Sequence, residues 1–537
     1  MSTEIPRRAT WREWLALAVM TLPLLMVATD MTVLFLALPS ITADLSPSGT
    51  QMLWFLHAGE FLAVSLALTM GWLGSKVGRR RLLMTGIALY GLASLAAAFS
   101  PNPEALIASR ALMGVAAATI MPSVMALLRV MFAEARQFSL AVAVVMSSFS
   151  TGMALGPPLG GLVLEHFWWG AVFLLNVPVA ALLLLSAPLL PSRKEEVEGG
   201  VDIPSVLLSM AAIIALVYGL QEIAESVSSG GGPLWPYTTS VAVGLVLAVV
   251  FVRRQLRLPE PLMDMRLFAT PAFSTSLGVM LLMLLGIGAA DMLLVQYLQT
   301  TLGISPGQAG LLMIAPAVAS IVGGMVAPLL VRWMRPSYAM GGGLLLGAGS
   351  ALALGLMVGR TGVIPLIVAA SVLALALGPL FTLGANLIVV SAPVRRAGSA
   401  AAMSDVGGGL GYALSLAVLG SLSTLVYRSG LTGPGVEDLS PQELEAAGES
   451  VGGAVGVAAG LPAEEASGLL ETAFASFATA VQTGYVFGAI VLVPAGLGVL
   501  WLLRHTRLDA TEETDDDRAS ESGTSEDEDH DLAHLNR

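Results

Sequence analysis

Residues 51–100 read QMLWFLHAGEFLAVSLALTMGWLGSKVGRRRLLMTGIALYGLASLAAAFS. Two apolar blocks, 51–72 and 82–100, flank a short turn that holds Lys76, Arg79, Arg80 and Arg81. A helix rises ~1.5 Å per residue and a bilayer's hydrocarbon core is ~30 Å thick, so each block can cross it once. No water reaches that depth to satisfy the backbone, and a helix satisfies its own. The stretch is therefore read as two antiparallel membrane helices joined by a basic turn.

The same alternation runs along nearly the whole chain. Six blocks read as 14–38, 51–72, 82–100, 104–127, 138–164 and 168–190, and two more as 203–224 and 236–252. A last six read as 273–298, 306–331, 338–358, 363–390, 398–426 and 480–503, fourteen in all. An even count puts both termini on one side. Of the 26 Lys and Arg, 23 then fall in the loops and termini of that side, leaving only Arg110, Arg360 and Arg428. An excess of positive charge marks the cytoplasmic face, so both termini are expected there. An odd count would destroy the pattern.

Composition agrees. Charged residues make up 12% of the chain, against ~25% in typical soluble proteins, and 55% of it is hydrophobic. There is no Cys, which excludes disulfides, thiol catalysis and thiolate metal sites. The first block is too long for a signal-peptide core and lacks a cleavage site, so it is expected to be retained. The net charge of −12 is unevenly spread: 509–537 carries −10, 429–471 carries −8, and the remainder is +6. The expected organisation is a cytoplasmic N-terminus (1–13), a six-helix bundle (14–192) and a linker with two helices (193–265). A second six-helix bundle (266–505) follows, then a disordered acidic tail (506–537). The acidic segment 429–471 falls outside the cell, with short amphipathic helices near 440–447 and 463–475. Both acidic stretches read as solvated charge runs, a metal or partner site being the alternative.

Several motifs stand within these blocks. The turn reads Gly71-Trp72-Leu73-Gly74-Ser75-Lys76-Val77-Gly78-Arg79-Arg80-Arg81. Its glycines permit close approach and positive φ, and its cations anchor at the membrane surface. The fifth block holds Gly152, Gly156, Pro157, Pro158, Gly160 and Gly161, where glycines four apart let two helices touch and the prolines remove backbone donors. The first holds Asp30-Met31-Thr32-Val33, the fourth Arg110-Ala111-Leu112-Met113-Gly114, and the thirteenth a Gly-rich run from Gly408 to Gly411.

Taken together and in order over residues 14–505, these motifs resemble those of the fourteen-helix drug:proton antiporters of the major facilitator superfamily. The turn is similar to that family's G-x-L-a-D-R-x-G-R-K loop at Gly71, Leu73, Gly78, Arg79 and Arg80, but Ser75 stands where the family has Asp. The fifth block matches the antiporter signature g-x-x-x-G-P-x-x-G-G at every fixed position, and that motif marks exporters more than importers. In the first block Leu36 replaces an Asn, and in the fourth Met113 replaces a Gln. The resemblance implies an all-α polytopic fold, two six-helix bundles related by pseudo-symmetry with two inserted helices. It also implies proton-driven export of lipophilic, often cationic, compounds by alternating access.

Ionisable groups at membrane depth are costly unless paired or hydrated, so each is a functional candidate. Asp30 is a candidate for coupling or gating and Arg110 for proton transfer; the plainer reading is that Arg110 only neutralises a carboxylate such as Asp30. Glu60 has His57 about one turn away, where the two could exchange a proton, although Gly59 stands where the family commonly has Tyr. Asp291 and Asp405 are the candidates in the second half, and Glu222 reads as facing water. Trp54, Phe149, Phe381 and Tyr412 are candidates for lining a substrate cavity or for plain packing. Without the loop Asp, closure of the cytoplasmic side is expected to lean on Arg79–Arg81 against helix ends or against Asp202 and Glu195.

The expected function is proton-coupled export of lipophilic, cationic small molecules across the cytoplasmic membrane. The expected partners are that cargo, protons and the lipid bilayer, and the expected state is a monomer. Alternatives are an exporter dedicated to one self-made antibiotic or metabolite, and an uncoupled facilitator or channel. No cofactor, metal or nucleic acid is expected. The chain has neither a G-x-x-x-x-G-K-[ST] loop for ATP nor a nucleophile elbow, so an enzyme or ATP-driven pump is disfavoured.

Overall fold

The structure is a computed structural model that describes residues 9–45, 47, 49–191, 202–228, 233–258, 261, 263, 265–393, 397–432, 435–436 and 439–504. Within its helices some side chains, including those of His57, Pro157 and Pro158, fall outside that description, as does the acidic tail. Every regular element among the described residues is helical. In order these are α1 (Trp11–Leu45), α2 (Gly49–Val77), α3 (Arg79–Ala98), α4 (Pro103–Ala117), α5 (Ile120–Met131), α6 (Ala135–His166), α7 (Ala171–Leu174) and α8 (Asn176–Leu185). Two more, α9 (Ile203–Ser228) and α10 (Trp235–Gln255), stand in the middle of the chain. Then come α11 (Pro271–Ile287), α12 (Ala290–Thr300), α13 (Pro306–Leu330), α14 (Pro336–Met357), α15 (Val363–Val390) and α16 (Ala397–Gly430). The last are α17 (Pro441–Glu449), α18 (Val451–Ala458) and α19 (Ala463–Leu502).

Among the described residues twelve helical stretches are long and apolar enough to cross a membrane, with α4–α5 and α11–α12 each acting as one. The other two expected blocks are also helical: α6 has 32 residues, and α7–α8 form a shorter apolar piece. Twelve to fourteen crossings therefore fit the chain. Val243, Leu245, Val246, Val249 and Val250 of α10 are all exposed. Such a face would aggregate in water, and lipid is the solvent that suits it.

The helices pack in two groups. In the first, α1 lies on α6, α2 on α4, and α3 on α4 and α8. In the second, α13 lies on α15, α14 on α15 and α19, and α11 on α16 and α19. Between the groups α6 meets α13 and α15, while α16 meets α2 and α5. Helix α9 rests on both α2 and α16, and α10 packs on α9.

Three expectations are modified. The fourth block is broken after Ala117, where Thr119 turns its hydroxyl back to the Ala116 carbonyl at 2.7 Å and Pro122, lacking an N–H, leaves the Ala118 carbonyl without its helical donor. The ninth block is broken at Gly288–Ala289, where the Ala289 N–H donates to Ser415 Oγ of α16 at 3.0 Å. The acidic segment is more structured than a solvated run. Ser440 and Glu443 form a capping box that starts α17, and hydrogen bonding to Ser440 holds the Glu443 carboxyl below its ordinary range. Ala447, Val451 and Ala454 are buried, and Tyr427 Oη and Arg428 Nε of α16 donate to the carbonyls of Ala447 and Gly448, both at 3.0 Å. The expected helix near 463–475 is continuous with the last span in α19.

Candidate functional site

Asp30 of α1 and Arg110 of α4 form an ion pair, 8% and 4% exposed. The Arg110 Nε also donates to the Phe55 carbonyl of α2 at 3.1 Å. Asn176, at the start of α8, donates to Asp30 Oδ1 at 3.2 Å and to Ser94 Oγ of α3 at 3.2 Å. One cluster thus ties five helices together. Gly59 makes room for it, since a Cβ there would stand 3.1 Å from the Arg110 carbonyl and 3.8 Å from its Nη2. A Cβ at Gly114 would run into the Gly59 carbonyl, so α2 and α4 cross at these two glycines. Sequence reading found Asp30 and Arg110 but missed Asn176, the only strongly polar side chain in 171–185.

Glu60 is half-buried on α2, within electrostatic reach of Arg110 and of Tyr412 on α16. Asp291, in the opening turn of α12, acts on Tyr412 and on Tyr485 of α19. The side chains of Asp291 and Tyr412 are both solvent-accessible. Tyr412 packs against the break in the ninth block, with a Gly288 Cβ position 3.0 Å from its ring. Glu60, Asp291 and Tyr412 thus gather from both helix groups.

The other candidates lie elsewhere. Asp405 sits half-buried about two turns nearer the basic loops on α16. Trp54 stacks on Tyr218 of α9 with centroids 6.4 Å apart, and Glu222 lies near that tyrosine. Phe149 packs on the core of the first helix group and Phe381 on the cluster beside α9. The His57 side chain, expected to partner Glu60, falls outside those described.

The basic turn closes one end of the molecule. A Cβ at Gly71 would stand 2.8 Å from the Gly398 carbonyl and 3.1 Å from Ser399 Cα, so α2 touches the first turn of α16. Gly78 has φ 100, a left-handed conformation that favours glycine. It turns Arg79 inward, where it is 6% exposed and lies against Gly398, with Nη1 2.5 Å from a Cβ position there. Ser75 folds back on its own helix, donating to the Trp72 carbonyl at 2.6 Å. Leu73 and Arg80 are half-buried, and Lys76 lies over the Trp72 ring at 5.5 Å. Asp202 is taken by Arg254 of α10, at 2.7 and 3.1 Å, not by the basic turn. That hydrogen bonding holds the Asp202 carboxyl below its ordinary range. Glu195 lies outside the described residues.

The glycines of α6 face α1. Cβ atoms at Gly152 and Gly156 would collide with Leu25, Ala28, Thr29 and Thr32, and one at Gly160 would press on Val33 at 3.2 Å. Gly161 has open space. Pro157 has no N–H to give the Met153 carbonyl, and Thr32 Oγ1 supplies the missing donor at 3.1 Å. Thr29 Oγ1 adds a second inter-helix bond, donating to the Gly152 carbonyl at 3.1 Å. This tight contact belongs to one helix group and not to the seam between the two.

The family model described as Major Facilitator Superfamily matches residues 21–416. The multidrug efflux pump LfrA of Mycolicibacterium smegmatis is 37% identical over 489 residues, 91% of this chain and 96% of LfrA. The methyl viologen resistance protein SmvA of Salmonella typhimurium is 32% identical, covering 87% of this chain and 93% of SmvA. The tetracenomycin C resistance and export protein of Streptomyces glaucescens is 29% identical, covering 91% of each. Among solved structures, a double-tryptophan mutant of XylE superposes with a TM-score of 0.60 at 14% identity, covering 93% of this chain and 98% of its own. The human organic anion transporter MFSD10 gives 0.57 at 15% identity, covering 89% and 99%.

Proposed function

Because the chain belongs to the Major Facilitator Superfamily, and is a multi-pass protein of the cell membrane, we propose that it exports lipophilic, cationic small molecules in exchange for protons. The observation that carries this reading is that Glu60, Asp291 and Tyr412 gather from both helix groups, which we read as the wall of a chamber between them. A carboxylate facing that chamber takes either a proton or a cationic cargo, and an aromatic face favours the same cations. Competition for one negative site links the two fluxes, and each ligand shifts the facing states only by binding one of them better. The buried Asp30–Arg110 pair answers to Glu60 through Arg110, so charge in the chamber reaches the joint of five helices. The Gly71–Gly398 contact closes the basic-loop end, as an outward-facing or an occluded state requires.

In this reading the chain crosses the membrane fourteen times as a monomer with both termini in the cytoplasm. The bundles are 14–192 and 266–505, the inserted pair lies in 193–265, and 429–471 lies outside. The test is efflux of a cationic dye from loaded proteoliposomes under an imposed pH gradient. Dye should leave faster when the gradient is present, and efflux indifferent to collapsing it would point to an uncoupled facilitator. Likeness to the tetracenomycin C exporter favours a second reading, an exporter dedicated to one compound. Protection of a sensitive host against one scaffold alone, across a panel of unrelated drugs, would select it.

A further inference from the structure

The seam between α6 and the pair α13–α15 is polar where close packing would suggest a dry contact. Asn386 of α15 is 1% exposed and donates through Nδ2 across the seam to Ser139 Oγ of α6. Its Oδ1 meets no protein donor. Neither Thr382 Oγ1, one turn away and fully buried, nor Ser147 Oγ on α6 has a protein partner. Gly324 of α13 sits between them, its Cβ position 3.1 Å from Thr382 Oγ1 and 3.7 Å from Ser147 Oγ. Thr382 Oγ1 and Ser147 Oγ thus flank one point of the seam in the half near the basic loops, and Asn386 Oδ1 follows one turn further along α15, beside Ser139. Hydroxyls can donate and accept, and the amide oxygen accepts, so together they offer the two to four partners that hold a buried water.

We propose that Ser147, Thr382 and Asn386 form a water-binding latch in this seam, whose wetting lets the basic-loop end open. Holding a water there costs its freedom, so the closed seam stays less stable than an apolar one, whereas separated helices would hydrate these atoms without that cost. The latch rests on the alternating-access reading, in which this end must open to load cargo. It makes closure reversible, while an all-apolar seam would stay shut.

The chain has no Cys, so one reporter can be introduced cleanly. Ala401 of α16 is 3% exposed and packs with residues of the first helix group, so Ala401→Cys reports opening. Thr382→Val in that background keeps the shape and removes the hydroxyl. Labelling by an impermeant thiol reagent from the basic-loop face should slow about tenfold, and efflux should slow with it. Thr382→Ser should label like the parent, and Ser147→Ala should shift in the same direction as Thr382→Val. Equal or faster labelling in Thr382→Val would overturn the latch. Labelling needs no substrate, so an error in the export reading would leave this difference intact.

Discussion

Arg110 reaches a carboxylate on one helix and a backbone carbonyl on another, while Asn176 steadies that carboxylate from a third. Removing the charge of Asp30 leaves a buried guanidinium unpaired, at a cost of about 3–5 kcal/mol. Asp30→Asn should therefore abolish gradient-driven dye efflux and lower the melting temperature in detergent; wild-type efflux at all pH values would refute its role. Asp30 and Arg110 were legible because charge in an apolar block has no cheap explanation. Asn176 was not, because a neutral amide in a span reads as tolerable and its partner lies 146 positions away. Ser75 carries a second prediction. Its hydroxyl serves only its own helix, so Ser75→Asp should add a charge near Arg79 and favour closure of the basic-loop end. The expected result is slower labelling of Ala401→Cys with efflux retained, whereas Arg79→Ala should speed labelling and impair efflux.

At the scale of helices, the contact of α1 with α6 depends on glycines that admit nothing larger. Gly156→Leu should force the two apart, and the expected outcome is a low yield of folded protein together with lost efflux; a stable, active variant would contradict the packing. The length and apolar face of these helices were readable from the sequence. The breaks near Thr119 and Ala289 were not, because hydropathy is blind to a backbone N–H that finds Ser415 instead of its own helix. The clasp of Asp202 on Arg254 gives a pH-dependent prediction. The folded carboxyl lies below its ordinary ~3.9, so its stabilisation is full above that value and lost as pH falls through the folded one. With Arg254 more than a third exposed, solvent screening keeps the effect small. Asp202→Asn should lower the melting temperature slightly at pH 7 and leave it unchanged in strong acid.

Across the whole molecule, the alternation of apolar blocks and basic loops carried the architecture, because a bilayer leaves the chain few other options. Which helices touch was beyond reach: Gly71 on Gly398 and Asn386 on Ser139 join residues hundreds of positions apart through small or neutral groups. The acidic end contributes almost no apolar surface. Truncation after Arg507 should leave dye efflux within about twofold of the full chain at equal expression, and a large loss would reveal a regulatory role.

The last helix has a practical consequence. At ~1.5 Å per residue, the 40 residues of α19 make a rod of about 60 Å, twice the thickness the bilayer needs. In the proposed topology its first half would project beyond the lipid, where α18 packs against it. A small membrane transporter usually offers nothing for particle alignment in electron microscopy. An antibody fragment raised against α17–α19 would supply that mark, and its tilt would report each change of facing state directly in the images.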